Sequence, residues 1–341
     1  VARGRAAIDH LRQAEAMIRQ RGNKAIAPFH RLVSEVQLRA LSAVIETGGF
    51  SPAARRLGLS QPSVHRAARE LETLCGCPLW RRSGAGVEAT QEARELSRHA
   101  GLCFNELQAA IEDIREIRGL IDGHLNVGAL PLARSKWLPQ ALAKTLKTYP
   151  AARVRVIDGP YDEQLTALRH GRIDMILGAL RDPVPTSDIV QTPLFEDPWL
   201  IVVRTGHPLT PGFDSETDRL APVQLDALSW ILPRDGTPGR DTFERFMAAK
   251  ALPPPTRVVE CASFMTIRAL LLETDHAAIV SRQQVEADVA LGQLKIMGPP
   301  LAQSFRTIGL TLRRDFRPTQ LQQAFIDEAK AFIGEVKGRA G

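Results

Sequence analysis

The chain has 341 residues, 44% of them apolar and 24% charged, which is enough apolar material for two or three cored domains and excludes a chain disordered throughout. Its formal net charge of +6 is segregated: residues 1–98 hold 16 Lys and Arg against 9 Asp and Glu, whereas the remainder holds 28 against 29. All the excess positive charge lies near the N-terminus, as a polyanionic partner would require and a merely solubilising charge would not.

No window approaches the roughly 20 continuous apolar residues of a membrane span, and no apolar signal core opens the chain, so no membrane partner and a cytoplasmic location are expected. Cys75, Cys77, Cys103 and Cys261 have neither paired CxxC spacing nor neighbouring histidines. They read as small apolar groups, with no metal site and no disulfide framework expected.

In chain order, residues 1–34 form an N-terminal helical extension. Ala7, Leu11, Ala14 and Ile18 recur at helical spacing among arginines, and Gly22-Asn23 and Pro28 then break the pattern. This helix is expected to be solvated or to sit beside a second copy of the chain.

Residues 35–90 carry three helix patterns and two short strands. Leu38, Leu41, Val44 and Ile45 mark one helix that Gly48-Gly49 stops; Ser51-Pro52 starts a second with Ala53, Ala54 and Leu57, and Gly58 ends it. The third begins at Ser60, whose hydroxyl can accept from the free N–H groups of the next turn, with Pro62 where a missing N–H costs nothing. Val64, Ala68, Leu71 and Cys75 should face inward, leaving Gln61, Ser63, His65, Arg66 and Arg69 as donors and cations suited to base edges and phosphates in a major groove. Two short helices and a tight turn before an exposed third helix is the helix-turn-helix arrangement. Pro78 to Val87 then reads as two strands around a glycine turn, a wing with Arg81 and Arg82 at its start. The expected DNA-contacting set is Ser51, Gln61, Pro62, Ser63, His65, Arg66, Arg69, Arg81 and Arg82.

From Gln91 to Ile121 runs one proline-free helix, so that residues 91–122 form a linker. Leu96, Ala100, Cys103, Leu107, Ala110, Ile114, Ile117 and Ile121 follow steps of four and three, a heptad seam that an isolated helix cannot hide. Pairing with the same helix of another subunit is expected, because a winged helix on a two-fold operator needs a two-fold partner.

After Asp122-Gly123 the period changes. Apolar runs at 125–129, 154–157, 175–177, 200–203, 230–232, 258–259, 278–280 and 308–312 alternate with helix patterns near 136–149, 161–170, 239–250, 264–273, 282–290 and 318–336. Such alternation predicts an α/β sheet fold with helices on both faces. In such sheets ligands collect beyond the carboxyl ends of strands, where helices begin. Four loops qualify: 129–135, 178–181, 233–240 and 261–263.

The pattern Gly48-Gly49-Phe50-Ser51, Ala53-Ala54, Leu57, Ser60-Gln61-Pro62-Ser63-Val64, Arg66, Leu71-Glu72, Pro78-Leu79-Trp80-Arg81-Arg82 and Thr90 resembles the winged-helix domain of LysR-type transcriptional regulators. The likeness continues through Leu125-Asn126-Val127-Gly128, Leu168-Arg169-His170-Gly171-Arg172-Ile173-Asp174 and Gly206-His207-Pro208-Leu209, and so spans roughly residues 35–335. Trp80, His65 and Ala93 depart from it, standing where phenylalanine, serine and glycine are usual.

The resemblance implies an α+β multidomain chain: a winged helix-turn-helix, a long linker helix and a C-terminal two-lobed α/β domain of the type II periplasmic-binding-protein-like fold over 123–336. Lobe 1 would comprise about 123–198 with 302–336, and lobe 2 about 199–301. It further implies a promoter operator in double-stranded DNA as partner, a homotetramer built as a dimer of dimers, and a small-molecule effector between the lobes; RNA polymerase is a further candidate partner. Leu130, Arg134, Ser135, Arg181, Arg234, Thr237 and Ser263 are the effector candidates. Their cations and hydroxyls suit an anionic or sugar-like molecule, and the loops 130–134 and 178–181 are most similar to the branch holding galactose-binding-protein and aromatic-acid regulators.

No cofactor and no catalysis are expected. Gly-x-Ser-x-Gly, a phosphate loop, His-Glu-x-x-His and Gly-x-Gly-x-x-Gly are absent. His207 reads as a turn residue and His276, beside Asp275, as structural. The alternative is a cytoplasmic solute-binding module or a transferase of the same two-lobed fold.

Overall fold

A computed structural model of the chain describes residues 2–21, 28–84, 86–120, 122–215 and 217–337, with side chains except at Arg82, Ser83 and 333–337. The expected break at Gly22-Asn23 and the seam residue Ile121 therefore lie outside the described residues.

The N-terminal part comprises α1 (Ala2–Gln20), α2 (Phe29–Leu32), α3 (Glu35–Thr47), α4 (Phe50–Leu57), α5 (Gln61–Cys75), the hairpin β1 (Trp80–Ser83) and β2 (Gly86–Ala89), and the linker helix α6 (Gln91–Ile117). Local chemistry sets most of these boundaries. Ser34 and Gln37 form a reciprocal capping box at the start of α3, and Gly48, Gly58 and Gly76 end α3, α4 and α5 in the left-handed conformation.

The extension is not a solvated arm: its apolar face is buried against the rest of the N-terminal part. Ala7, Leu11, Ala14 and Ile18 of α1 are all below 8% exposed and pack with Leu38, Leu41, Leu71, Leu79, Leu96, Ala100 and Cys103 in one core. Arg21 reaches Glu92 near the start of α6, whereas Arg3 reaches Asp113 near its end, so α1 runs antiparallel to α6. Heptad positions were expected to face another subunit along the whole linker, but α1 covers the first half of that stripe. Leu107, Ile114 and Ile117 of that seam, on the side of α6 that α1 leaves uncovered, are 44%, 53% and 86% exposed, and Ile111 beside them is 52% exposed.

The C-terminal part has two five-stranded sheets. In chain order follow β3 (His124–Ala129), a 3-10 turn (Pro131–Arg134), α7 (Trp137–Thr148), β4 (Arg153–Ile157), α8 (Tyr161–Arg169), β5 (Met175–Ala179), β6 (Ile189–Asp197), β7 (Trp199–Arg204), α9 (Pro222–Ala227), β8 (Ser229–Leu232), α10 (Pro238–Ala248), β9 (Val258–Glu260), α11 (Phe264–Glu273), β10 (His276–Ser281), α12 (Arg282–Ala290), β11 (Leu294–Ile296), β12 (Arg306–Arg313) and α13 (Gln320–Lys337). The first sheet has the order β4-β3-β5-β12-β6 and the second β11-β7-β10-β8-β9. The chain leaves the first sheet across Pro198 and returns to it through 297–305. In each sheet the central strands run parallel, and β12 or β7 returns antiparallel.

Three elements escape the periodicity reading. The strand β6 holds Pro193 in mid-run, which a central strand would not tolerate; here β6 is a sheet edge and its pairing slips between Ile308 and Gly309, opposite Pro193. The strand β11 is three residues long and α9 is six, too short for either period to show.

Lobe 1 also rests on the linker. Asn105 Nδ2 donates to the Gly171 carbonyl at 3.0 Å, and His124 at the start of β3 pairs with the buried Glu112 at 2.8 Å.

Candidate functional site

The N-terminal surface is built by α5. Ser60 Oγ accepts from the Ser63 N–H at 3.3 Å and Pro62 occupies the first turn, so the helix begins where its donors are satisfied locally. Val64, Ala68, Leu71 and Cys75 are 0–1% exposed; because they fix the rotation of α5, Gln61, Pro62, Arg66 and Arg69 are left exposed. Ser51 Oγ donates to Gln61 Oε1 at 2.8 Å, which joins α4 to the start of α5. Among the described residues Arg66 makes only a loose contact, 3.9 Å, to Glu70.

His65 is half-buried, its ring 4.8 Å from that of Phe50, and Phe50 in turn meets Trp80 edge-on at 5.7 Å. The aromatic stack props the wing against the reading helix. Glu72 does the same through hydrogen bonds, accepting from the Leu79 N–H at 2.8 Å and the Trp80 N–H at 3.3 Å. Neither Phe50 nor Glu72 had been assigned a role from sequence, although both belong to the quoted motif. On β1, Arg81 is exposed and stands opposite Glu88. The side chain of Arg82 lies outside the described residues. On α4, Arg55 is a further exposed cation that the motif reading missed.

The cysteines here are poor nucleophiles. Burial pushes the Cys75 thiol well up, and holds Cys77 and Cys103 up at about 11 each.

The second candidate region lies at the carboxyl ends of the parallel strands of both lobes. Past β3, Leu130 is buried and covers Gly178, where any Cβ would collide with it. Arg134 pairs with Asp158 at 2.9 Å, and Ser135 is exposed. Past β5, Arg181 lies over the Tyr161 ring at 4.1 Å, and Gln191 holds its main chain, accepting from its N–H and donating to its carbonyl. Past β8, Arg234 is exposed and Thr237 Oγ1 donates to the Arg234 carbonyl at 2.7 Å, so that no side chain caps α10. Past β9, Ser263 Oγ accepts from the Thr266 N–H, an ordinary helix cap. The two edges meet where Lys136 Nζ of lobe 1 lies 2.5 Å from Glu286 Oε2 of lobe 2.

Between them sits a cluster that sequence reasoning missed. Asp197, 1% exposed, accepts from Ser281 Oγ at 2.7 Å and pairs with Arg306, whose guanidinium stacks on Trp199 at 4.0 Å. Burial lowers the pKa of the Arg306 guanidinium; the paired Asp197 opposes this only in part, and the like charge of Arg181 adds to the lowering. These residues join both chain crossovers to lobe 2, over a sequence separation that no local pattern reveals.

His207 accepts from the Leu209 N–H at 3.1 Å and meets the Asp275 carbonyl at 3.2 Å; His276 meets Thr274 Oγ1 at 2.9 Å. Both tie turns together. Among the described residues no group of three or more His, Cys, Asp or Glu is placed to hold a metal ion, and no helix is long and apolar enough to cross a membrane.

A winged-helix reader joined by a long helix to a two-lobed α/β ligand-binding fold defines a ligand-responsive DNA-binding regulator. Residues 36–94 match the model of the bacterial regulatory helix-turn-helix protein, lysR family, and residues 118–333 match the LysR substrate binding domain. The chain belongs to the LysR family of transcriptional regulators. It is 35% identical to the HTH-type transcriptional regulator GalR of Pseudomonas putida over 81% of its own length and 68% of that protein's. With the HTH-type transcriptional regulator PcaQ of Agrobacterium fabrum it shares 29% identity over 91% and 98%.

Full-length OxyR from Pseudomonas aeruginosa has the same fold, with a TM-score of 0.62 at 23% identity over 87% of this chain and 94% of that one. So does full-length CbnR complexed with its target DNA, with a TM-score of 0.56 at 22% identity over 87% and 99%. Full-length LysG from Corynebacterium glutamicum, with bound effector Arg, has a TM-score of 0.59 at 17% identity over 87% and 98%. These relatives are regulators, and the solute-binding and transferase readings are not favoured.

Proposed function

We propose that the chain reads a promoter operator as a homo-oligomer in the cytoplasm, and that a small anionic or sugar-like effector held between its lobes sets the outcome. The observation that carries this reading is the rotation of α5. Four apolar residues at 0–1% exposure pin one side to the core, so that Arg66 and Arg69 project from the other. The proposed DNA-contacting set is Ser51, Gln61, Pro62, Ser63, His65, Arg66, Arg69, Arg81 and Arg82. The bare stripe Leu107, Ile111, Ile114 and Ile117 supports pairing with a second copy, and two such pairs would make the tetramer; RNA polymerase would be met only on the promoter.

On the lobes, Arg134, Ser135, Arg181, Arg234 and Thr237 are the proposed effector contacts. Leu130 would shape the face from beneath, and Ser263 would contribute only what its capping role leaves free. Three guanidinium groups and two hydroxyls favour a carboxylate or a polyhydroxylated ligand over an apolar one. No cofactor takes part.

The test is a mobility shift on the DNA upstream of the chain's own gene, repeated with benzoate, gluconate and galactose. A retarded complex whose mobility or midpoint changes with at least one of these supports the reading. A complex indifferent to all three would remove the proposed effector class, and the absence of any complex would remove the operator.

A further inference from the structure

Neither matched family segment includes residues 2–20, yet α1 touches the N-terminal core, the linker helix and lobe 1. Its two ends are held by different physics. Toward the C-terminal end Ala14 and Ile18 are completely buried in the core shared with α3, α5 and α6, a contact that only unfolding would break. At the N-terminal end the contacts are polar and involve lobe 1. Arg3, 9% exposed, donates from Nε to Asp113 Oδ2 at 2.5 Å, from Nη1 to the Arg317 carbonyl at 2.9 Å and from Nη2 to the Pro318 carbonyl at 3.1 Å. Glu106 lies 3.6 Å away, and two turns along α1 His10 faces Asp315 at 3.9 Å.

We propose that α1 is an intrachain latch: Arg3 closes on the 313–318 turn of lobe 1 and holds that lobe against the linker helix, coupling it to the DNA-reading core within one chain. The guanidinium suits this task because its planar fork serves a carboxylate of α6 and two carbonyls of lobe 1 at once, which an ammonium cannot do. Opening the fork leaves the carbonyls to water at small cost while the apolar half of α1 stays docked, so the latch releases without unfolding the reader. Movement of lobe 1 relative to α6, whatever drives it, must first break these contacts.

Hydrogen exchange on the full chain, comparing Arg3→Ala, Arg3→Lys and Asp113→Asn with the unaltered protein, tests this. The expected result for Arg3→Ala is exchange faster by on the order of ten- to a hundredfold in the first turns of α1 and in residues 313–323, with α5 unchanged. Arg3→Lys should restore little of the protection, and Asp113→Asn should lie between. Unchanged exchange at 313–323 would overturn the proposal. So would uniform acceleration that includes α5, since that reports lost global stability and no latch. The outcome does not depend on which effector or operator is used.

Discussion

The carbonyl oxygen of His170 occupies the space into which a Cβ on Gly101 would project. Glycine in mid-helix ordinarily costs stability, and alanine there would gain about 1 kcal/mol of helix propensity. A main-chain oxygen cannot swing aside, however, and overpacking of this kind costs about 1–3 kcal/mol. Gly101→Ala should therefore destabilise the chain by roughly 1 kcal/mol net in chemical denaturation. A more stable variant would mean that lobe 1 does not rest on the linker as described.

Arg66 and Arg69 project from the same face of α5. Each, replaced by alanine, should weaken operator binding and lower the dependence of log affinity on log salt by about 1 if it meets a phosphate. Fluorescence anisotropy across a salt series would show this. Ser135→Ala should leave the salt slope untouched while weakening response to the effector.

The bare half of the linker stripe carries the third prediction. Ile111→Glu with Ile114→Glu places two charges on a face that already meets water in the single chain, so folding should survive while sedimentation velocity shows dissociation to a smaller species. An unchanged oligomer would move the self-contact elsewhere.

Some of this architecture was legible and some was not, for identifiable reasons. The start of α5 depends on Ser60 and Pro62, three residues or fewer from the atoms they serve, and local chemistry of that kind can be read directly. The wing was legible through its glycines. By contrast, the stripe on α6 announced that something covers it but not what: half of it meets α1 of the same chain, a choice made by tertiary packing. Ser263 and Ser135 look alike as helix-start hydroxyls; only the structure shows that Ser263 is committed to the Thr266 N–H. The pairing of Asp197 with Arg306 spans 109 positions and leaves no periodic trace. Pro193 concealed β6 because its meaning depends on whether the strand is an edge.

Buried histidines give a pH dependence with a definite sign. Burial first, then the neighbouring charge of Arg98, holds His99 down at about 4, and burial also lowers His10. Because the unfolded chain binds the proton more readily, the stability tied to neutral His99 is intact above its ordinary value near 6.5 and is lost as pH falls toward 4. Asp174, raised by burial to about 6, acts oppositely between its ordinary value and 6. The clean measurement is thus the difference between the unaltered chain and His99→Gln: thermal stability of the variant should fall less steeply between pH 6.5 and 4. Parallel curves would contradict the assignment.

The central claim is that the basic N-terminal face grips a specific duplex. Footprinting the purified full-length chain on the DNA upstream of its own gene, at physiological salt, tests it most directly. Two protected half-sites separated by one helical turn or a multiple of it are the predicted result, lost together in Arg66→Ala. Uniform or absent protection, with and without the candidate effectors, would contradict the account.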